Sequence, residues 1–134
     1  MNEMIENTGM DRQKLKTFIL ETYPASADRP WLQYPNYEVF RHSSNQKWFA
    51  VIMDLPKSKL GLQGEERIDA VNLKCGSILA GSLLMENGFF PAYHLRKDSW
   101  ITVALDGSVA DDKIKMLLDV SYQATAPKVR KKKG

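Results

Sequence analysis

Between residues 100 and 106, apolar and polar positions alternate. Ile101, Val103 and Leu105 fall on one side of an extended chain, and Trp100, Thr102 and Ala104 on the other. Such alternation, rich in β-branched residues, predicts a strand buried on one face. Asp106-Gly107 supplies the turn that ends it. Just upstream, Tyr93, His94 and Leu95 are expected to form its hairpin partner, with residues 96–98 as the connection. Further toward the N-terminus, Asp11 suits an N-cap, and Leu15, Phe18 and Ile19 make one apolar helical stripe that Pro24 brings to an end. Residues 25–36 hold Pro30 and Pro35 among Trp31 and Tyr34 and read as an irregular, packed connection. Residues 37–42 and 47–55 read as strands around Ser43-Ser44-Asn45-Gln46, a hairpin. A long loop, 56–67, leads to a third strand at 68–74. Gly76-Ser77 opens a second helix carrying Ile78, Leu79, Leu83 and Leu84, with Gly88 as its stop. Ser108, three positions before Asp111, resembles a capping box, and Ile114, Leu117, Leu118 and Tyr122 stripe the third helix.

The order is therefore α-β-β-β-α-β-β-α. It predicts an α+β fold in two layers, helices on one face of a five-stranded, mostly antiparallel sheet. The length of loop 56–67 argues against a tight hairpin between the second and third strands. The expected strand order is 1-2-5-4-3, with the Trp100 strand in the middle. In this phase Val71, Leu73, Ile101, Val103 and Leu105 face the helices, and Asn72, Lys74, Trp100 and Thr102 face outward. A one-residue slip would exchange the two faces.

The 134 residues suffice for one domain with one core. Residues 1–10 are expected to be a loose extension, 11–124 the domain, and 125–134 a basic tail. Composition, 43% hydrophobic and 26% charged, is that of a soluble globular protein. No apolar run reaches the length of a membrane helix, and residues 1–10 lack the pattern of a secretory signal. The single cysteine, Cys75, suits a reducing cytoplasm. The net charge of +3 is a property of the tail: Lys128, Arg130, Lys131, Lys132 and Lys133 are five of nineteen basic residues. Removing those five leaves fourteen basic against sixteen acidic side chains over residues 1–127, a net −2. A domain-wide basic footprint for nucleic acid is thereby excluded.

Several segments together carry a family resemblance. They are Lys47-Trp48-Phe49-Ala50, Pro56-Lys57 with Leu60-Gly61-Leu62, Asn72-Leu73-Lys74-Cys75, Tyr93-His94-Leu95 with Lys97, Trp100-Ile101-Thr102-Val103, and Ser121-Tyr122. In this order and spacing the chain resembles the MmcQ/YjbR family over residues 11–123. The resemblance implies a bacterial cytoplasmic protein with a small fold akin to type III secretion chaperones and the frataxin-like fold. It also brings the label DNA-binding that the family commonly carries, and no catalytic signature to transfer.

The residues offer little chemistry of an enzymatic kind. Cys75 and His94 are a conceivable nucleophile and base, but nothing supplies a third orienting group or an oxyanion nest, and the preferred reading of Cys75 is a buried structural thiol. Asp111-Asp112 complement a helix dipole. Gly61-Leu62-Gln63-Gly64 lacks the Gly-Lys-Ser/Thr end of a phosphate loop. No zinc motif is present, and neither cofactor nor metal is expected. Candidate binding residues are Lys74, His94, Lys97, Trp100 and Thr102 on or beside the outer face, with Lys128, Arg130, Lys131, Lys132 and Lys133 in the tail. They support a non-catalytic DNA-binding protein, phosphate charge giving affinity and an aromatic ring stacking. The alternative is a protein-interaction or chaperone-like module that uses an open sheet face or an edge strand to hold a partner or a second copy, as monomer or weak dimer. For so short a run the preferred reading of the tail is a solvated terminus; Trp100 is equally consistent with a half-covered sheet under residues 25–36.

Overall fold

The computed structural model describes residues 9–127. Helix α1 (Arg12–Thr22) starts where Asp11 Oδ1 accepts the Lys14 N–H at 2.8 Å and stops at Tyr23, ahead of Pro24. Then come β1 (Ala25–Asp28), β2 (Glu38–His42), β3 (Trp48–Pro56), a 3₁₀ turn (Lys57–Leu60) and β4 (Arg67–Lys74). Helix α2 (Ser77–Leu83), β5 (Phe89–Pro91), β6 (Trp100–Ala104) and α3 (Asp111–Thr125) complete the order. The strands form one sheet, β1-β2-β3-β4-β6-β5, antiparallel at every junction.

The helical face follows the expected phase. Val71, Leu73, Ile101, Val103 and Leu105 are buried with Leu15 and Ile19 of α1, Ala80 and Leu83 of α2, and Ile114, Leu117 and Leu118 of α3. Each large side chain so buried contributes about 1.5–3 kcal/mol. Between β2 and β3 the register shifts: Phe40 faces Ala50 while Arg41 faces Trp48, so Phe49 is an extra residue. This bulge lets Phe49 and Ala50 both enter the core. Ser121 of α3 fastens it, donating to the Phe49 carbonyl at 2.6 Å and accepting the Lys74 N–H at 2.9 Å.

Other expectations are corrected. Residues 25–28 form a sixth strand, since the prolines begin only at Pro30 and Ala25 and Ala27 can pack on the core. The third expected strand lies beside the second after all, through seven register pairs from Ala50–Leu73 to Pro56–Arg67. The ladder even runs on into the loop, Lys57 N–H to Glu66 O at 2.9 Å and Ser58 N–H to Gly64 O at 3.1 Å. Loop length thus comes from a folded turn closed by Gly61 at φ 82°, not from a crossover. The Trp100 strand is consequently next to the edge, not central. Its hairpin partner is Phe89–Pro91, because Pro91 ends the pairing and residues 93–95 leave the sheet plane. Ser108 does not cap α3; its N–H and hydroxyl bond Asp106 Oδ1, and Ala110 holds the N-cap position. Met10 belongs to the buried core rather than to a loose extension, residues 1–8 of which lie outside the described residues.

The outer face is not open. Tyr37, Val39, Val51, Met53, Leu55, Leu60, Ile68, Ala70 and Ala104 make a second buried cluster there. Trp31, Leu62, Tyr93 and Leu95 pack over it from three connecting segments. Asn72 and Thr102, expected in solvent, are 1% and 0% exposed.

Candidate functional site: an aromatic pocket on the outer face

The covering segments leave a pocket of about 400 Å³ between them. Its floor is sheet: Val51 and Met53 of β3 and Asn72 of β4. One wall comes from the connection between β1 and β2, with Trp31, Gln33, Tyr34 and Tyr37. Tyr93, His94 and Leu95 supply a second wall, and Trp48 of β3 completes the lining. Tyr34 and Tyr37 stack with centroids 4.8 Å apart, while Trp31 meets Tyr37 and Trp48 edge to face at 6.0 and 5.6 Å. His94 lies 3.9 Å from Tyr93 and 6.3 Å from Tyr34, centroid to centroid. It holds φ at 70°, a left-handed conformation rare outside glycine, which turns the chain back at the pocket mouth.

The lining is apolar with polar tips. Among the described residues, no hydrogen-bond partner engages the hydroxyls of Tyr34, Tyr37 and Tyr93, the Gln33 amide or the indole N–H groups of Trp31 and Trp48. Burial, then the neighbouring Tyr93 and Tyr34, pushes the Tyr37 phenol above its usual pKa of 10.0, so it stays a neutral O–H. Arg41 lies over Trp48 at 5.5 Å from the ring centroid and pairs with Asp28 at 3.1 Å. Mostly aromatic walls with a few convergent polar groups are the mark of a small-ligand site.

Of the residues singled out from sequence, His94 lines the pocket. Thr102 lies buried beneath it, bonding Tyr93. Lys74 and Trp100 pair across β4 and β6, both half-buried, outside the lining. Lys97 is exposed in the following turn. Lys128, Arg130, Lys131, Lys132 and Lys133 lie outside the described residues. Cys75 packs against the inner core, where burial raises its thiol pKa, so the sheet separates it from His94. The residues that sequence reasoning missed are Trp31, Tyr34, Tyr37, Trp48 and Tyr93. The available signal was aromatic spacing: Trp31, Tyr34 and Tyr37 recur every three residues in a segment that lacks strand alternation.

A six-stranded antiparallel sheet with helices on one face and an aromatic recess on the other defines a small α+β domain. A family model described as YjbR matches residues 20–124, and the chain belongs to the YjbR family. It is 36% identical to the protein named YyaQ of Bacillus subtilis (strain 168), over 87% of this chain and 98% of that one. It is 44% identical to YjbR of Escherichia coli (strain K12) over 59 residues, 43% of this chain and 50% of that one. Among solved structures it is similar to a crystal structure of a Pseudomonas syringae protein, TM-score 0.85 and 42% identity over 87% of this chain and all of that one. A Deinococcus radiodurans protein at 21% identity and TM-score 0.67, covering 90% of this chain and 81% of that one, shares the fold. No helix among the described residues is long and apolar enough to cross a membrane.

Proposed function

We propose that the chain is a non-catalytic binding protein whose outer-face pocket takes a nucleobase unstacked from a single strand of nucleic acid. The observation that carries this reading is the pocket itself: five aromatic side chains around about 400 Å³, with polar tips free to meet a ring edge. Stacking on such rings is worth about 1–3 kcal/mol per base. A base paired within a duplex cannot enter a recess; an unpaired one can. Arg41 and Lys47 beside Trp48, and Arg96 and Lys97 just after the wall of residues 93–95, suit phosphate contacts. The basic tail adds sequence-independent attraction that a domain of net −2 lacks. A cytoplasmic location accompanies this reading.

The test is quenching of tryptophan fluorescence by single-stranded oligonucleotides beside matched duplexes in low salt. Tighter binding of single strands supports the proposal. Preference for duplex would sink the unstacked-base reading, and silence from both would remove nucleic acid. A protein-interaction role is the second reading, favoured by Leu32, 94% exposed in the segment that walls the pocket. Native mass at micromolar concentration tests its self-association form.

A further inference from the structure

The wall formed by residues 93–95 crosses the sheet instead of extending it. Strand β5 pairs with β6 only as far as Pro91–Ile101. Beyond Ala92, which is fully buried, the chain passes over the outer face. Backbone polar groups laid on an apolar surface need partners, and no neighbouring strand among the described residues supplies them here. Two side chains rising from the sheet do. Thr102 Oγ1 accepts the Tyr93 N–H at 3.0 Å, and Asn72 Nδ2 donates to the Tyr93 carbonyl at 2.9 Å. The Thr102 hydroxyl donates in turn to Asn72 Oδ1, closing the network. Asn72 and Thr102 are register partners on β4 and β6, so the sheet itself sets their spacing.

We infer that Asn72 and Thr102 are positioning residues of the pocket: together they clamp Tyr93 and thereby hold Tyr93 and His94 against Tyr34 and Tyr37. The inference rests on the pocket being the binding site. It explains why two polar side chains are buried in an otherwise apolar outer cluster. Releasing the clamp orphans one donor and one acceptor of a single residue and frees a whole wall, while leaving the sheet ladder intact.

The experiment uses Thr102→Val, which keeps the shape and removes the hydroxyl, and Thr102→Ser, which restores it. A double variant, Asn72→Leu with Thr102→Val, leaves no half-satisfied side chain and serves where the single variant fails to fold. In the free protein, amide hydrogen exchange at Tyr93 and nuclear Overhauser contacts from His94 to the Tyr34 and Tyr37 rings report the clamp. The expected result is faster Tyr93 exchange and loss of those contacts in the valine and double variants, with retention in the serine variant. Affinity for a single-stranded oligonucleotide should fall about tenfold, the scale of one hydrogen bond, and return in Thr102→Ser. Unchanged exchange and contacts in the valine and double variants would overturn the clamp. Altered exchange with unchanged affinity would reduce it to a structural role and overturn the positioning. Absence of binding in the unmodified protein would overturn the ring-binding reading and the positioning role with it, and the exchange data would still decide whether the clamp exists.

Discussion

Trp31 and Trp48 meet edge to face, ring centroids 5.6 Å apart and planes inclined by 86°. One comes from an irregular connection and the other from the start of β3, so their contact ties a covering segment to the sheet. The two indoles make a corner of the pocket, with one face of Trp48 already under Arg41. Trp48→Ala should therefore lower affinity for a single strand by about thirtyfold, the middle of the range for one lost stacking partner. Its stability cost should stay near 1–3 kcal/mol, since the ring is half-buried. Fluorescence titration beside urea unfolding checks both; unchanged affinity would place the strand elsewhere.

Trp100 gives the opposite expectation. It pairs with Lys74 outside the pocket lining. Trp100→Ala should cost up to about 2 kcal/mol and leave ring binding within about twofold. A large loss of affinity with intact folding would return the recognition surface to the β4–β6 end of the sheet.

His42 makes stability depend on pH. Its ring is fully buried, stacked on Tyr122 at 4.0 Å, with Nε2 2.8 Å from Thr125 Oγ1. The Thr125 hydroxyl donates to the Ser121 carbonyl at 2.8 Å, so it accepts from His42 Nε2–H, and Nδ1 is left buried without a partner among the described residues. Burial lowers the His42 pKa below 6.5, Tyr122 opposing in part and Lys47 adding to the shift. The unfolded chain therefore takes up the proton first as pH falls. The His42 contribution should be level above about pH 6.5, decline as pH drops through it, and level again below the folded pKa. Urea midpoints at pH 7.5 and 5.5 measure this; a His42→Phe variant should lose the dependence between those values.

Ser121→Ala removes the stitch between α3 and the bulged strand. It strands the Phe49 carbonyl and the Lys74 N–H, a cost of about 2–3 kcal/mol. Because Ser121 works on the inner face, affinity at the outer pocket should hold. Denaturant melts with a parallel titration separate the two effects, and a change in affinity alone would contradict the assignment of faces.

The helical face was legible because alternation and helical stripes record burial directly, as Leu73, Val103 and Leu117 illustrate. The outer face was not. Asn72 and Thr102 are polar residues at strand positions, and polarity there ordinarily signals solvent. Here it signals a backbone crossing overhead, which depends on where residues 93–95 travel and has no period of its own. Loop 56–67 misled for a related reason: chain length measures contour, and a 3₁₀ turn consumes contour without separating strands. The pocket combines both difficulties, since its walls come from two connections whose aromatic residues read as ordinary packing.

Pro91 has an effect on the assembly behaviour of the molecule as well. It stands at the end of the edge strand β5, three residues long, whose outer backbone faces no further strand among the described residues. A proline presents no N–H, and the chain immediately climbs onto the sheet, so an incoming extended segment finds at most two donors to pair with. At the opposite border, β1 is four residues long and is followed directly by Arg29 and Pro30. Both borders are thus too short and too interrupted to template another strand, which protects the protein against edge-to-edge aggregation.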